Sequence, residues 1–260
     1  MTPIGRMHCD QRYRYEAARQ GVFGLANTGI VRLEPGQDYE TALTGLDGFE
    51  RLWLVYELHL NETWRPMVST PRAAAPRLGV FATRSPHRPN RIGLSCVELE
   101  RIDGLDLHVR NHDLLDLTPI LDIKPYLPYA DAFPETRAGW ADETPIEPYE
   151  LAFTPVAAER IAWLREHGGL DAERFAHIQL GTDPDDAERK RISPDPDAAD
   201  GHIIAYRTWR LHYRIDDAAR RVTVTDLRSG YSPADLAPGT RDRHQDKDVH
   251  RAFGGSFSAS

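Results

Sequence analysis

The chain has 260 residues, 40% of them apolar and 9% aromatic, enough to bury one substantial core and a smaller second one, which excludes disorder of the whole chain. Its 32 Lys+Arg against 40 Asp+Glu give a net charge of −8, a balance that by itself argues against nucleic acid as a partner. Cys9 and Cys96 stand in no ligand spacing, and there is neither a signal-like stretch nor an apolar run of about 18 residues, so a disulfide framework, a metal site and a membrane span are excluded and a cytoplasmic location is predicted.

From residue 4 to about 130 the texture is short β-like runs punctuated by Gly and Pro. Strands are predicted at 29–33, 52–58, 78–82, 93–99 and 105–109, the last in strict two-residue alternation, with a single short helix at 39–46. Parallel pairing would need crossover helices that are absent, so the expectation is an antiparallel β-barrel or strongly curved sheet over residues 1–140. The polar stretch 135–148 reads as a linker. Beyond it, Thr154 followed by Pro155 opens a helix that Gly168 and Gly169 close, and Asp171 starts a second helix to about Leu180. Residues 203–215 read as one alternating strand with Trp209, Leu211, Tyr213 and Ile215 on one face, followed by a turn at 216–220 and a strand at 221–227. These elements make residues 149–231 a small α+β domain. The polar tail 232–260 is expected to be disordered. The fold class is therefore mainly β, with an α+β addition.

Charge is unevenly placed. Only Lys124, Lys190 and Lys247 among the cations are lysines, and arginine is the side chain that forks onto phosphates and carboxylates. Residues 64–97 hold Arg65, Arg72, Arg77, Arg84, Arg88 and Arg91 and no Asp or Glu, a local anion site or else a solvated basic loop paired to the acidic remainder. Within it, prolines three apart stiffen Thr83-Arg-Ser-Pro-His-Arg-Pro-Asn90. A second segment, Leu121-Asp-Ile-Lys-Pro-Tyr-Leu-Pro-Tyr-Ala-Asp131, sets Tyr126 and Tyr129 beside Lys124, either a base-stacking platform or a proline-kinked packing segment. No dinucleotide fingerprint, Walker loop or nucleophile elbow occurs. His108 and His112, four apart in strand-like texture, do not converge as metal ligands.

Taken together, Pro3-Ile-Gly5, Ala-Arg-Gln at 18–20, Gly45-Leu-Asp-Gly-Phe-Glu-Arg-Leu-Trp-Leu54, Gly79-Val-Phe-Ala-Thr-Arg-Ser-Pro-His-Arg-Pro-Asn90, Ile92-Gly-Leu-Ser95 and Thr118-Pro-Ile-Leu-Asp-Ile-Lys-Pro-Tyr-Leu-Pro-Tyr-Ala-Asp131 resemble the TsaA-like (TrmO) family. The resemblance implies a single-sheeted β-barrel methyltransferase that uses S-adenosyl-L-methionine on the exocyclic amine of threonylcarbamoyl-adenosine beside the tRNA anticodon. It also implies a homodimer and a C-terminal domain that takes part in tRNA recognition. The cofactor contacts it implies are Ala18, Arg19, Gln20, His59, Leu60, Arg84, the backbone of Leu94, and Asp116, Leu117, Thr118 and Pro119. Against the family pattern, Ala18 replaces a proline, Leu60 a glutamine and Arg91 a proline, and Asp185 stands where an arginine is usual. Leu117 replaces a glycine, so a positive φ there would be strained.

Methyl transfer from a sulfonium is an in-line displacement that needs alignment and an acceptor for the amine's proton, and no metal. Asp116 and Asp122 are the candidate acceptors by composition and location. Arg88, Arg91 and Lys124, with Arg84, are expected on phosphates or the threonylcarbamoyl carboxylate, and Tyr126 or Tyr129 on a base. Two other functions fit the same sequence. One is a methyltransferase for another RNA or a small molecule, and the other a module that binds S-adenosylmethionine or RNA without catalysis.

Overall fold

A computed structural model describes residues 1–18, 20–21, 27–69, 77–143, 146–186 and 191–257. The chain divides into two compact units, Met1–Pro145 and Ile146–Ser260.

The first unit contains β1 (Gly5–His8), β2 (Thr28–Leu33), a one-turn helix α1 (Tyr39–Ala42), β3 (Arg51–Glu57), β4 (Met67–Val68), β5 (Leu78–Gly79), β6 (Ile92–Asp103), β7 (Asp106–Arg110), β8 (Pro119–Pro125), and the short helices α2 (Pro128–Asp131) and α3 (Trp140–Glu143). Six strands close a barrel in the order β1-β2-β7-β6-β3-β8, with every pair antiparallel. Alternation does the work the sequence suggested: Leu52, Leu54 and Tyr56 of β3 point inward and pack with Met7, Val31, Val97, Leu107, Val109 and Ile120. Each such buried aliphatic side chain stabilises the barrel by roughly 1.5–3 kcal/mol.

Because neighbouring strands are antiparallel, the connections sort onto two ends. The upper end carries the chain from β1 to β2 (9–27), from β3 to β6 (58–91, including the β4–β5 ribbon) and from β7 to β8 (111–118). The lower end carries 34–50, the tight turn at Gly104, and the exit of the chain after Pro125.

Several expectations change. The 78–82 run is a strand only at Leu78–Gly79 and then a 3-10 turn, Val80–Ala82, because the Val80 carbonyl accepts from the Thr83 main chain and hydroxyl instead of a neighbouring strand. The predicted helix at 39–46 shortens to Tyr39–Ala42. Strand β8 begins and ends on prolines, which suit strand ends and concealed it in the sequence.

The second unit contains β9 (Glu150–Phe153), α4 (Pro155–Gly168), α5 (Ala172–Leu180), β10 (Ile192–Pro194), β11 (Gly201–Tyr206), β12 (Trp209–Asp216), β13 (Arg221–Ser229) and α6 (Lys247–Phe257). The sheet order is β10-β11-β12-β13-β9, with β9 alone parallel to its neighbour. The Thr154 hydroxyl accepts from the Ala157 N–H at 3.2 Å and Asp171 accepts from the Arg174 N–H at 3.0 Å, the side-chain caps expected of them. The single strand expected over 203–215 is instead two, turned at Arg207, whose φ is 53°. Buried positions accordingly switch from even (Ile204, Tyr206) to odd (Trp209, Leu211, Tyr213).

The tail expected to be disordered holds helix α6. Lys247, His250 and Phe253, spaced by three, form its buried face. His250 stacks on Trp209 at 3.9 Å between centroids and Phe253 meets Trp163 edge-on at 5.3 Å. A lysine and a histidine on the inner face give no apolar period to read, which is why composition missed it.

Candidate functional site

The upper end of the barrel is assembled by polar bonds between its crossovers and β1. In the 111–118 turn, Asp116 accepts from the Cys9 N–H through Oδ1 (3.1 Å) while its own N–H donates to the Gln11 carbonyl (2.7 Å). The Leu117 N–H donates to the Met7 carbonyl (2.7 Å) and the Met7 N–H to the Thr118 carbonyl (3.0 Å). Leu117 adopts φ 60°, half-exposed, so the turn keeps the left-handed conformation that glycine would adopt freely; for leucine this costs about 1–2 kcal/mol. The Leu117 carbonyl accepts from Arg6 Nη1 (3.3 Å). His59, on the next crossover, feels Arg6 and Arg14, and burial above all pushes its imidazole below the ordinary histidine range. Gly21 closes on the same turn: a Cβ on it would lie 2.3 Å from the Asn111 carbonyl, so only glycine admits this approach. Ala18 is buried beside it, and Arg19 lies outside the described residues.

Strand β6 presents an open edge here. Its ladder with β3 is bracketed by Leu99 N–H to Glu50 carbonyl and Leu58 N–H to Arg91 carbonyl, so in the unbroken register between them Leu52/Val97, Leu54/Ser95 and Tyr56/Gly93 are the hydrogen-bonded pairs. Val55/Leu94 is then a non-hydrogen-bonded pair, and the N–H and C=O of Leu94 point away from β3. Strand β7 pairs with β6 only from Glu98 onward. Leu94 therefore offers a donor and an acceptor to a ligand, at the same barrel end as the half-exposed side chains of Leu60 and Leu117.

The arginine-rich crossover is ordered by its own side chains. Arg88 Nη1 donates to the carbonyls of Val80 (3.2 Å) and Thr83 (2.9 Å), and Asn61, buried, donates to the Pro86 carbonyl (2.9 Å). Arg91 pairs with Glu57 at 2.8 Å. Arg88 thus fastens the loop, a role the sequence assigned to proline stiffness alone. Arg84 is exposed and has no hydrogen bond or ion pair among the described residues, while its charge reaches Asp113 and Tyr56.

Those two belong to a polar chain that the sequence reading missed. The Tyr56 hydroxyl lies 3.1 Å from Ser95 Oγ, and Ser95 Oγ donates to Asp113 Oδ1 at 2.5 Å. Burial pushes the Asp113 carboxyl above the ordinary carboxylate range, with Ser95 and Arg84 opposing the rise. Gly93 makes room for the Tyr56 ring, since a Cβ there would sit 2.2 Å from it. The available signal was parity: Ser95 lies between inward Gly93 and Val97, and a hydroxyl inside a barrel needs a partner.

The remaining candidates lie along β8 and beyond it, from Asp122 in mid-strand to Tyr129 past the lower end. Lys124 pairs with Asp122 at 2.9 Å, and the Ile123 N–H donates to Asp122 Oδ1. Asp131 accepts from Trp53 Nε1 (3.0 Å) and the Leu127 N–H (2.8 Å), fixing the segment on which Tyr126 leans against Trp53 and Tyr129 stands 83% exposed. Strand β8 carries Tyr126 about 20 Å from Pro119, and Asp122 only about 10 Å from it. Lys124, Tyr126 and Tyr129 are therefore not gathered with the residues of the upper end; Asp122, opposite Val55 and so level with Leu94, is engaged with Lys124 on the outer wall, and Asp116 is occupied in holding the turn.

Among the described residues no three His, Cys, Asp or Glu side chains group to hold a metal ion, and no helix is long and apolar enough to cross a membrane. Residues 6–132 match the N-terminal domain of tRNA-methyltransferase O. The tRNA (adenine(37)-N6)-methyltransferase of Escherichia coli is 31% identical over 232 residues, covering 86% of this chain and 97% of that protein. A protein of Pseudomonas aeruginosa named "Putative S-adenosylmethionine-dependent methyltransferase RcsF" is 37% identical over 234 residues, covering 86% and 96%. The crystal structure of TrmO from Pseudomonas aeruginosa superposes with a TM-score of 0.62 at 30% identity, covering 87% of this chain and 96% of that one.

Proposed function

The chain belongs to the tRNA-methyltransferase O family, and on that footing we propose that it methylates the exocyclic amine of adenosine 37 in tRNA, carried as threonylcarbamoyl-adenosine, at the upper end of its barrel. S-adenosylmethionine supplies the electrophilic methyl group. The residues present suit such a cofactor. The open N–H and C=O of Leu94 match the donor and acceptor of an adenine edge, Leu60 and Leu117 supply apolar surface, and the guanidinium of Arg84, without a partner among the described residues, suits a carboxylate. Arg19, Gln20, His59 and Thr118 are assigned to the same pocket by the resemblance, and Asp116 and Pro119 shape its turn. The observation that carries the reading is the open β6 edge at Leu94, at the barrel end that also bears the half-exposed Leu60 and Leu117.

In this account the chain's work is alignment: a closed barrel holds the crossovers rigidly, so the cofactor is bound at little cost in ordering. Arg91 and Lys124 remain available to RNA phosphates, because exposed ion pairs are worth about 0–1 kcal/mol and exchange partners readily. Tyr126 or Tyr129 takes a base, the second unit takes part in reading the tRNA, and the active form is a homodimer in the cytoplasm. The test is mass spectrometry of nucleosides from tRNA incubated with purified protein and S-adenosylmethionine. A methylated threonylcarbamoyl-adenosine peak is expected, and its absence while the protein binds S-adenosylmethionine in calorimetry would refute the tRNA substrate.

A further inference from the structure

We propose that Asp113 is the proton acceptor of the methyl transfer, with Ser95 and Tyr56 as the residues that position it. The proposal rests on the adenine-methylating reading above and adds the group that removes the proton. The geometry points to it by construction, and four other carboxylates of this unit are engaged elsewhere. Glu57 is paired with Arg91, Asp116 accepts from the Cys9 N–H, Glu16 accepts from the Arg12 and Tyr13 N–H groups, and Asp122 is paired with Lys124 at 2.9 Å on the outer wall. Asp113 is held through one oxygen by a hydroxyl that is itself backed by a second hydroxyl. Ser95 and Tyr56 are buried whereas Asp113 is only partly so, which makes Asp113 the outward member of the chain. It sits in the 111–118 turn, Ser95 follows Leu94, and Arg84 is within electrostatic reach. Two crossovers and two strands thus converge on this one carboxylate.

The direction of the hydrogen bonds fits the role. An ionised carboxylate only accepts, so the Ser95 proton faces Asp113 and the Tyr56 proton faces Ser95. In the step itself, the electron pair of the exocyclic nitrogen forms the N–CH3 bond. The S–CH3 bond breaks with its pair left on sulfur, and the N–H proton passes to Asp113. A sulfonium and a carboxylate become a neutral thioether and a neutral acid. Asp113 gains basicity as the neighbouring positive charge disappears, so its proton affinity is greatest when the proton arrives.

The test uses the full chain, S-adenosylmethionine and tRNA bearing threonylcarbamoyl-adenosine. Asp113→Asn keeps an acceptor for Ser95. It is expected to lower kcat by about 100-fold or more, with cofactor Kd by calorimetry within about threefold of wild type and Tm unchanged or higher, because an ionised carboxylate is removed from a partly buried position. Ser95→Ala is expected to move the acid limb of the kcat–pH profile upward, since the Ser95 bond holds the Asp113 carboxyl down. Retention of more than about a tenth of the wild-type kcat by Asp113→Asn overturns the proposal, as does loss of cofactor binding in step with activity. If Asp113→Asn does not fold, an unmoved acid limb in Ser95→Ala overturns it. Wild-type protein that leaves this tRNA unmethylated refutes the substrate reading, and the proposal with it.

Discussion

The two ends of the barrel share six strands yet treat polar groups in opposite ways. Toward the lower end, charge is paired on the surface: Lys124, 65% exposed, reaches back to Asp122 in mid-strand, and Asp131 ties a Tyr-rich segment to Trp53. Such pairs contribute little to stability and can be exchanged for a ligand's charges at little cost. At the upper end, polar groups are drawn into the wall. Ser95 and Tyr56 are buried, the Asp113 carboxyl is raised by burial, and Leu117 is held at φ 60°. The partly buried carboxyl and the left-handed leucine each lower stability, and their concentration at one end marks where structure has been kept for chemistry.

Mutations at the two ends should therefore differ in kind as well as size. The largest effect after that of Asp113 is expected from Arg84→Ala, whose lost charge-assisted hydrogen bond should weaken S-adenosylmethionine binding by roughly 2 kcal/mol, about 30-fold in calorimetric Kd, without lowering Tm. An unchanged Kd would remove Arg84 from the pocket and weaken the contrast between the ends. Next, Leu117→Gly should stabilise the protein by about 1 kcal/mol in chemical denaturation, since relief of the left-handed strain outweighs the added entropy of the unfolded glycine. A destabilised variant would mean that the half-exposed leucine earns its place through packing. The smallest effect is expected from Lys124→Ala, a change of under about 0.5 kcal/mol in stability with cofactor Kd unchanged. The salt dependence of tRNA binding should nevertheless become shallower, by about 0.7–0.9 in the slope of log K against log salt. A steepened or unaltered slope would take Lys124 out of the RNA contact.

Much of the barrel could be read from the sequence because one wall faces a core and the other faces solvent. The alternation in β3, in the first half of β6 and in β7 follows directly from that asymmetry. Strand β8 carries prolines at both ends, and α6 buries a lysine and a histidine, so neither shows the period its burial would suggest. The left-handed turn at Leu117 was foreseeable, because a glycine is usual there and the hydrogen bonds to Met7 that fix the turn come from main chain. The proton acceptor was not. Asp113 acquires its character from Ser95, on a different strand, and from burial, neither of which is local. Conversely, residues 116–119 and 124–129 look like one site because they are close in sequence, whereas the extended strand between them carries them to opposite ends.

The assignment of cofactor and chemistry to the upper end is tested most directly by hydrogen–deuterium exchange of the full chain with and without saturating S-adenosylmethionine. Slower exchange is predicted in 9–27, 58–91 and 111–118 and along the open edge at 92–97, with 34–50 and 126–133 unchanged. Protection confined to the lower end, or none in any of the three upper crossovers, would contradict it.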